Sequence, residues 1–241
     1  MQKRLVRKLE LERFLSSIEL HPAPKVGFEQ YTISADAGAT VLYLAAYTFG
    51  DIVGRRILDL GCGTGRLTLG AAFLGAKEVV GVDIDRAAVK VAFKNSVRSG
   101  LAGNVQWVTG DVEVINGEFD TVLQNPPFGV QKRGADRRFL EKALQTGKRV
   151  YSLHNHVEDD GGLVGKLRAR KGQFVSVPPS CFLENFIEER GGKVEAVYAM
   201  LMTIPHMFSF HTKRRHEFIV DLYIIQRSDC LIKRFIECMH E

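Results

Sequence analysis

Asn125, Pro126, Pro127 and Phe128 stand in a row at the end of the apolar run Phe119 to Gln124, and Gly129 follows at once. The chemistry of such a tetrapeptide lies in what it lacks. Neither proline carries a backbone N–H, and Pro127 biases Pro126 toward an extended geometry, so the local backbone offers carbonyl acceptors with few competing donors. An edge of that kind suits an amino group. If the Asn125 side-chain oxygen and the Pro126 carbonyl each accept a hydrogen bond from one planar NH2, both protons are held and the nitrogen lone pair turns toward an electrophile. Phe128 can stack on the ring that carries the amine. Asn125, Pro126, Pro127 and Phe128 are therefore the candidate catalytic residues, although Asn-Pro and Pro-Pro dipeptides also punctuate ordinary loops. The elements around them decide.

Phe119 to Gln124 reads as a mostly buried strand whose carboxyl end delivers the tetrapeptide to the crevice where open α/β sheets bind ligands. A βαβ series leads up to it: strand Arg56 to Leu60, helix Gly65 to Leu74, strand Glu78 to Asp83, helix Arg86 to Ser99 and strand Val105 to Thr109. Helix Asp136 to Thr146 and strand Arg149 to Leu153 continue it, and Lys193 to Ile204 with Glu217 to Gln226 form an antiparallel closing pair. Seven strands in this alternation predict an α/β, doubly wound, Rossmann-like sheet, mainly parallel with an antiparallel C-terminal strand. Leu11, Phe14, Leu15 and Ile18 predict an amphipathic helix within residues 1–20, and a second helix spans about Asp36 to Phe49. Residues 155–192, Gly- and charge-rich with one helix from Pro179 to Arg190, read as an insertion. Length and a hydrophobic content of 45% fit one elaborated domain over residues 1–241, with residues 1–50 as N-terminal helices.

The first strand runs into Asp59-Leu60-Gly61-Cys62-Gly63-Thr64-Gly65. Glycines there permit a tight turn and close approach of a ligand to the backbone, and the next helix offers unpaired N–H groups. A dinucleotide site would favour GxGxxG to seat a pyrophosphate; this loop reads GxGxG and carries Asp59, which repels phosphate and can pair with an ammonium. That combination favours S-adenosyl-L-methionine, a zwitterion with no phosphate. Asp83 ends the second strand, where a carboxylate can accept both ribose hydroxyl protons. Asp111, after the third strand, can accept from an adenine amino group, whereas Asp85 reads as the cap of the helix that starts at Arg86. Ile84 and Val112 flank these acids.

Net charge +5 and a pI near 9.0 arise from clusters at Lys3 to Lys8, Lys132 to Arg138, Lys166 to Lys171 and Lys213 to Arg215, which suit a polyanionic partner or, one by one, a solvated face. Cys62, Cys181, Cys230 and Cys238 form no CxxC pair, so reduced thiols and no metal are expected. No charged-then-apolar leader and no membrane-length apolar run stand in the chain, which is expected to be soluble and cytoplasmic.

Taken together, Asp59, Gly61, Gly63, Gly65, Asp83, Asp111 and Asn125 to Phe128 resemble class I S-adenosylmethionine-dependent methyltransferases of the amino-methylating branch. Phe28-Glu29-Gln30-Tyr31, Asn125 to Gly129 leading into Phe139-Leu140 and Ala143-Leu144, Val150 to His154, and Phe210-His211-x-Lys213 resemble the methyltransferase-like family that makes N6-methyladenine in small-subunit ribosomal RNA. That resemblance covers roughly residues 28 to 155 and 205 to 226. It implies that Gln30, Tyr31 and Thr32 lie over the methionine end of the cofactor, with Ile84, Val112 and Asn125 also in contact. It implies further that Asn125 to Phe128 hold the target adenine and that Phe210, His211, Lys213, Arg214 and Arg215 contact RNA. It also implies a small zinc-containing activator subunit on an apolar sheet edge. The 155–192 segment departs from the family in its length, and its Lys166 to Lys171 run is an added RNA contact or a solvated loop. His154 faces the site or is a structural histidine, Phe210 stacks on the base or joins the core, and Tyr31 covers the cofactor or staples the N-terminal helix.

The reaction expected is direct in-line methyl transfer, with no nucleophilic residue, onto an adenine that leaves its stack; unpaired RNA lowers the cost of that step. Adenine in DNA and glutamine in a protein offer the same donor pair, although glutamine-modifying relatives carry Tyr where this chain has Phe128. A non-catalytic RNA-binding scaffold is the remaining alternative.

Overall fold

A computed structural model of the chain describes residues 5–25, 27, 29–128, 134–156, 161–169, 174–205 and 215–228. Phe28, Gly129, Phe210, His211, Lys213 and Arg214 lie outside those residues, as do Cys230 and Cys238, and of Arg215 only the backbone is described. In chain order the first elements are α1 (Lys8–Ser16), α2 (Ala35–Tyr43) with a π turn (Leu44–Thr48), β1 (Arg56–Leu60), α3 (Arg66–Phe73), β2 (Glu78–Asp83), α4 (Arg86–Arg98) and β3 (Val105–Thr109). Then follow β4 (Phe119–Gln124), α5 (Ala135–Thr146), β5 (Gly147–Asn155), α6 (Gly161–Ala169), β6 (Val175–Ser176), α7 (Cys181–Glu188), β7 (Gly192–Pro205) and β8 (Arg215–Arg227).

Neighbouring residues along each central strand face opposite cores, because a pleated strand turns successive side chains to opposite sides. Ile57, Leu123, Tyr151 and Ile224 face the core shared with α1, α2 and α3. Leu58, Val122, Val150 and Ile225 face the core shared with α5 and α7. Covering both faces explains why the strands read as near-continuous apolar runs, and each such side chain fully buried contributes about 1.5–3 kcal/mol. Leu11 and Leu15 bring α1 onto this body, and Phe14 stacks on Phe73 of α3 with ring centroids 4.3 Å apart.

The sheet order is β3-β2-β1-β4-β5-β8-β7-β6. β1 to β5 pair in parallel, while β8 runs antiparallel to both β5 and β7. The doubly wound reading holds, with one strand more than the seven expected. Val175 and Ser176 pair with Ala199 and Tyr198 on the outer edge of β7, a stretch too short to show any alternation. The helix expected to run through to Phe49 changes hydrogen-bond pattern at Leu44 into the π turn. Within residues 155–192, α6 was not expected; it forms because Leu163 and Leu167, one turn apart, bury against Ala199 of β7. No helix among the described residues is long and apolar enough to cross a membrane.

Candidate active site

β1 has β2 on one side and β4 on the other, so the order of connection reverses between β1 and β4 and leaves a crevice at their carboxyl ends. Leu60 and Gln124 are register partners, which sets the glycine loop after β1 beside Asn125 after β4. A cavity of about 370 Å³ opens there, roofed by residues 27 and 29–33.

The glycine loop is built by backbone conformation. Gly61 and Gly63 take φ values of 72° and 54°, and a Cβ at Gly63 would meet nothing within 4 Å, so the loop is open where Gly63 lines the cavity. Gly65 has another reason to be glycine. It takes φ 88° as the N-cap of α3, and a Cβ would sit 2.5 Å from the Trp107 ring; it is not a cavity residue.

Four acids line the cavity: Glu29 in the roof, and Asp59, Asp83 and Asp111 on the side of the sheet. Asp59, 1% exposed, accepts hydrogen bonds on Oδ2 from the Thr68 backbone N–H at 2.9 Å and the Thr68 hydroxyl at 2.5 Å. Asp83 accepts from the Gly63 N–H and the Asp85 N–H, both at 2.8 Å, which ties the second strand tip to the glycine loop. Asp111 caps the turn that begins at Val112 and takes the Arg138 guanidinium at 2.6 Å; Arg138 also reaches Glu113 at 3.0 Å. Ile84, half exposed, and Val112, buried, complete the wall near these acids.

Asp85 caps α4 through the Ala87 N–H, as its position predicted, and does more. The same carboxylate accepts from Gln30 Nε2 at 2.8 Å and pairs with His21 at 3.1 Å and Lys25 at 3.3 Å. Gln30 Oε1 in turn accepts from the Lys25 N–H at 2.7 Å. The Gln30 amide therefore fastens the roof to the sheet, although the residue lines the cavity with Tyr31 and Thr32. Tyr31 contributes its carbonyl, which accepts from Asn125 Nδ2 at 3.0 Å, while its ring packs at the margin of the core beneath α1 and α2. That bond fixes which way the Asn125 amide faces. Asn125 Oδ1 is left buried, at the cavity, with no hydrogen-bond partner.

Pro127 lines the cavity, whereas Pro126 is buried and Phe128, half-buried, sets its ring edge-on to Phe218 at 5.9 Å. His154 is 3% exposed, bonds Ser152 Oγ at 2.7 Å and lies edge-on to Tyr223. Burial lowers its pKa to about 4, so it stays neutral and structural. The sequence reading passed over Arg66, the first residue of α3, which is buried and lines the cavity. A signal was present: a permanent charge directly after the glycine loop, amid Leu67, Leu69 and Ala71, has no apolar reason to be there.

Residues 33–151 match the family model for the methyltransferase small domain. The rRNA N(6)-adenosine-methyltransferase METTL5 of Danio rerio is 32% identical over 218 residues, which span 88% of this chain and 95% of that protein. The chain belongs to the rRNA N(6)-adenosine-methyltransferase family. An uncharacterised protein of Methanocaldococcus jannaschii is 34% identical over 235 residues, covering 92% of this chain and 95% of its own. A crystal structure from Pyrococcus horikoshii, provisionally assigned as an RNA methyltransferase, superposes with a TM-score of 0.77 at 36% identity over 93% of this chain and all of that one.

In this rRNA N(6)-adenosine-methyltransferase family member the cavity acid Asp59 has a measurable signature. Burial pushes its pKa up to about 7, against the opposing pull of the two Thr68 hydrogen bonds. Between about pH 4 and pH 7 the folded chain thus holds a proton that the unfolded chain has released, and stability falls as pH rises through that window. His154, whose folded pKa is depressed, contributes the opposite slope in both wild type and variant. Thermal melts of wild type and Asp59→Asn should therefore diverge, the variant gaining relative stability from pH 4 to pH 7. Parallel curves would contradict the assignment.

Proposed function

We infer that this chain transfers a methyl group from S-adenosylmethionine to the exocyclic N6 of an adenine in RNA, with small-subunit ribosomal RNA as substrate. One observation carries the reading: Asn125 Oδ1, a buried acceptor without a donor, is aimed by the Tyr31 carbonyl at the cavity where a planar amine would supply that donor. A buried acceptor left bare costs about 1–3 kcal/mol, so such an atom calls for a ligand. An exocyclic amine satisfies it and is held by it.

The cavity residues fit the cofactor. Gly63 leaves room against the backbone, Asp59 offers a buried carboxylate to an ammonium, and Asp83 presents a carboxylate at the strand tip for a ribose diol. Four acids around one cavity disfavour a phosphate-bearing ligand. When bound, S-adenosylmethionine supplies a methyl group already activated by a sulfonium. What falls to the chain is positioning: Asn125 orients the amine, the Pro126 position adds a carbonyl without an N–H, and the roof at residues 29–33 lies over the cavity. The proton displaced from N6 leaves to solvent, since His154 behind the motif, its pKa lowered to about 4 by burial, is too weak a base to take it.

A small zinc-containing activator subunit is part of the same reading. β3 ends the sheet, and Phe93 and Val97 on α4 with Val114 beyond β3 are more than half exposed, an apolar margin beside an open strand edge.

Labelled methyl transfer to small-subunit and large-subunit ribosomal RNA, with and without such a subunit, followed by nucleoside analysis, tests the function. Label should appear as N6-methyladenosine in the small-subunit RNA. Label in DNA or in protein glutamine instead would reassign the substrate class.

A further inference from the structure

Arg66 is a cavity cation whose charge no acid among the described residues answers. It is 9% exposed; its Nη1 donates to the Ile33 carbonyl, its Nε is buried with no partner, and among the described residues no acid pairs with it. Guanidinium remains charged at any physiological pH, and an unpaired buried charge is among the most costly groups a fold can carry. Asp59, at the other side of the glycine loop, is equally buried and likewise has no cationic partner among the described residues; its bonds go to Thr68. One cavity thus holds a buried guanidinium and, across the glycine loop, the buried Asp59 carboxyl, and they do not pair with each other. A zwitterion satisfies both. An α-amino acid end, with ammonium and carboxylate on one carbon, is such a ligand.

We propose that Arg66 binds the α-carboxylate of the cofactor's amino-acid end, opposite the ammonium taken by Asp59. The proposal rests on the S-adenosylmethionine reading above. The free Nε–H and a neighbouring Nη–H form a fork that matches a carboxylate edge with two parallel hydrogen bonds, a geometry lysine does not offer. The Nη1 bond to Ile33 meanwhile ties the roof to the same side chain, so the carboxylate would be gripped where the roof closes.

Calorimetric titration with two ligands separates carboxylate binding from roof tethering: S-adenosylhomocysteine, and its decarboxylated analogue S-adenosyl-3-thiopropylamine, which keeps the amine. The wild type should bind S-adenosylhomocysteine tighter by about 10- to 100-fold, as a charge-assisted pair implies. Arg66→Gln should lose that preference and bind both alike, with the analogue's affinity unchanged; Arg66→Lys should restore part of it. A preference retained in Arg66→Gln overturns the proposal, and so does equal weakening of both ligands, the mark of a mere roof tether. If Arg66→Gln fails to fold, the preference in wild type and its reduction in Arg66→Lys carry the test, and a wild type indifferent to the carboxylate overturns it. Binding of neither ligand by wild type would instead refute the cofactor reading and this proposal with it.

Discussion

Asn125→Ala should lose methyl transfer by at least about a hundred- to thousand-fold, the scale seen when one oriented polar group is removed from a reacting centre. S-adenosylhomocysteine affinity should change by no more than a few-fold, because the acids and the glycine loop that contact the cofactor are untouched. The variant removes two things at once: the bare Oδ1 acceptor and the Nδ2 donor to the Tyr31 carbonyl. The second costs about 1 kcal/mol of fold and loosens the roof slightly. Asn125→Asp separates them, since it keeps an oxygen for the amine but sets a carboxylate against the Tyr31 carbonyl. Single-turnover transfer and calorimetry, run side by side with a thermal melt, read all three effects. Transfer surviving in Asn125→Ala, or cofactor affinity collapsing with it, would remove Asn125 from its role.

Gly65→Ala should be the most damaging small substitution in the glycine loop, through packing and not through the ligand. A residue with a side chain at φ 88° is strained by about 1–2 kcal/mol, and the new methyl would press on the six-membered ring of Trp107 at 2.5 Å and on Ala92 at 3.3 Å. Together these cost roughly 2–5 kcal/mol and lower the melting temperature by roughly 5–15 °C for a chain of this size. Trp107→Phe withdraws the offending ring. The double variant should be less destabilised than the sum of the two singles by about 1 kcal/mol, leaving the backbone strain as the remainder. Strict additivity would show that the ring is not what forbids a side chain there.

That glycine marks a boundary of what the residues disclosed in advance. β1 to β4 begin and end where the pattern placed them, because each is a short, mostly apolar run stopped by Asp, Gly or Asn, although β3, at the sheet edge, is only partly buried. The crevice followed from their alternation, and Asp59, Gly63, Asp83 and Asn125 do meet around one cavity. Gly65 belonged to the same motif, yet its conformation answers to Trp107, forty residues away, a contact that no local pattern encodes. Gln30 was expected over a ligand and is spent largely on the Lys25 N–H nearby and on Asp85, the latter again a long-range bond. Arg66 was overlooked because an arginine opening a helix reads as a solvent-facing residue until its burial is known. α6 contains three glycines and reads as loop; only the apolar face of β7 makes it a helix.

β4 has a paired strand on either side, whereas the 155–192 segment places its two-residue strand on the far margin of the sheet, beyond β5, β8 and β7. Adding or deleting residues in that margin alters what the protein presents to a large substrate without shifting the register that holds Asn125. The margin can therefore be lengthened or shortened while the reacting centre stays where it is.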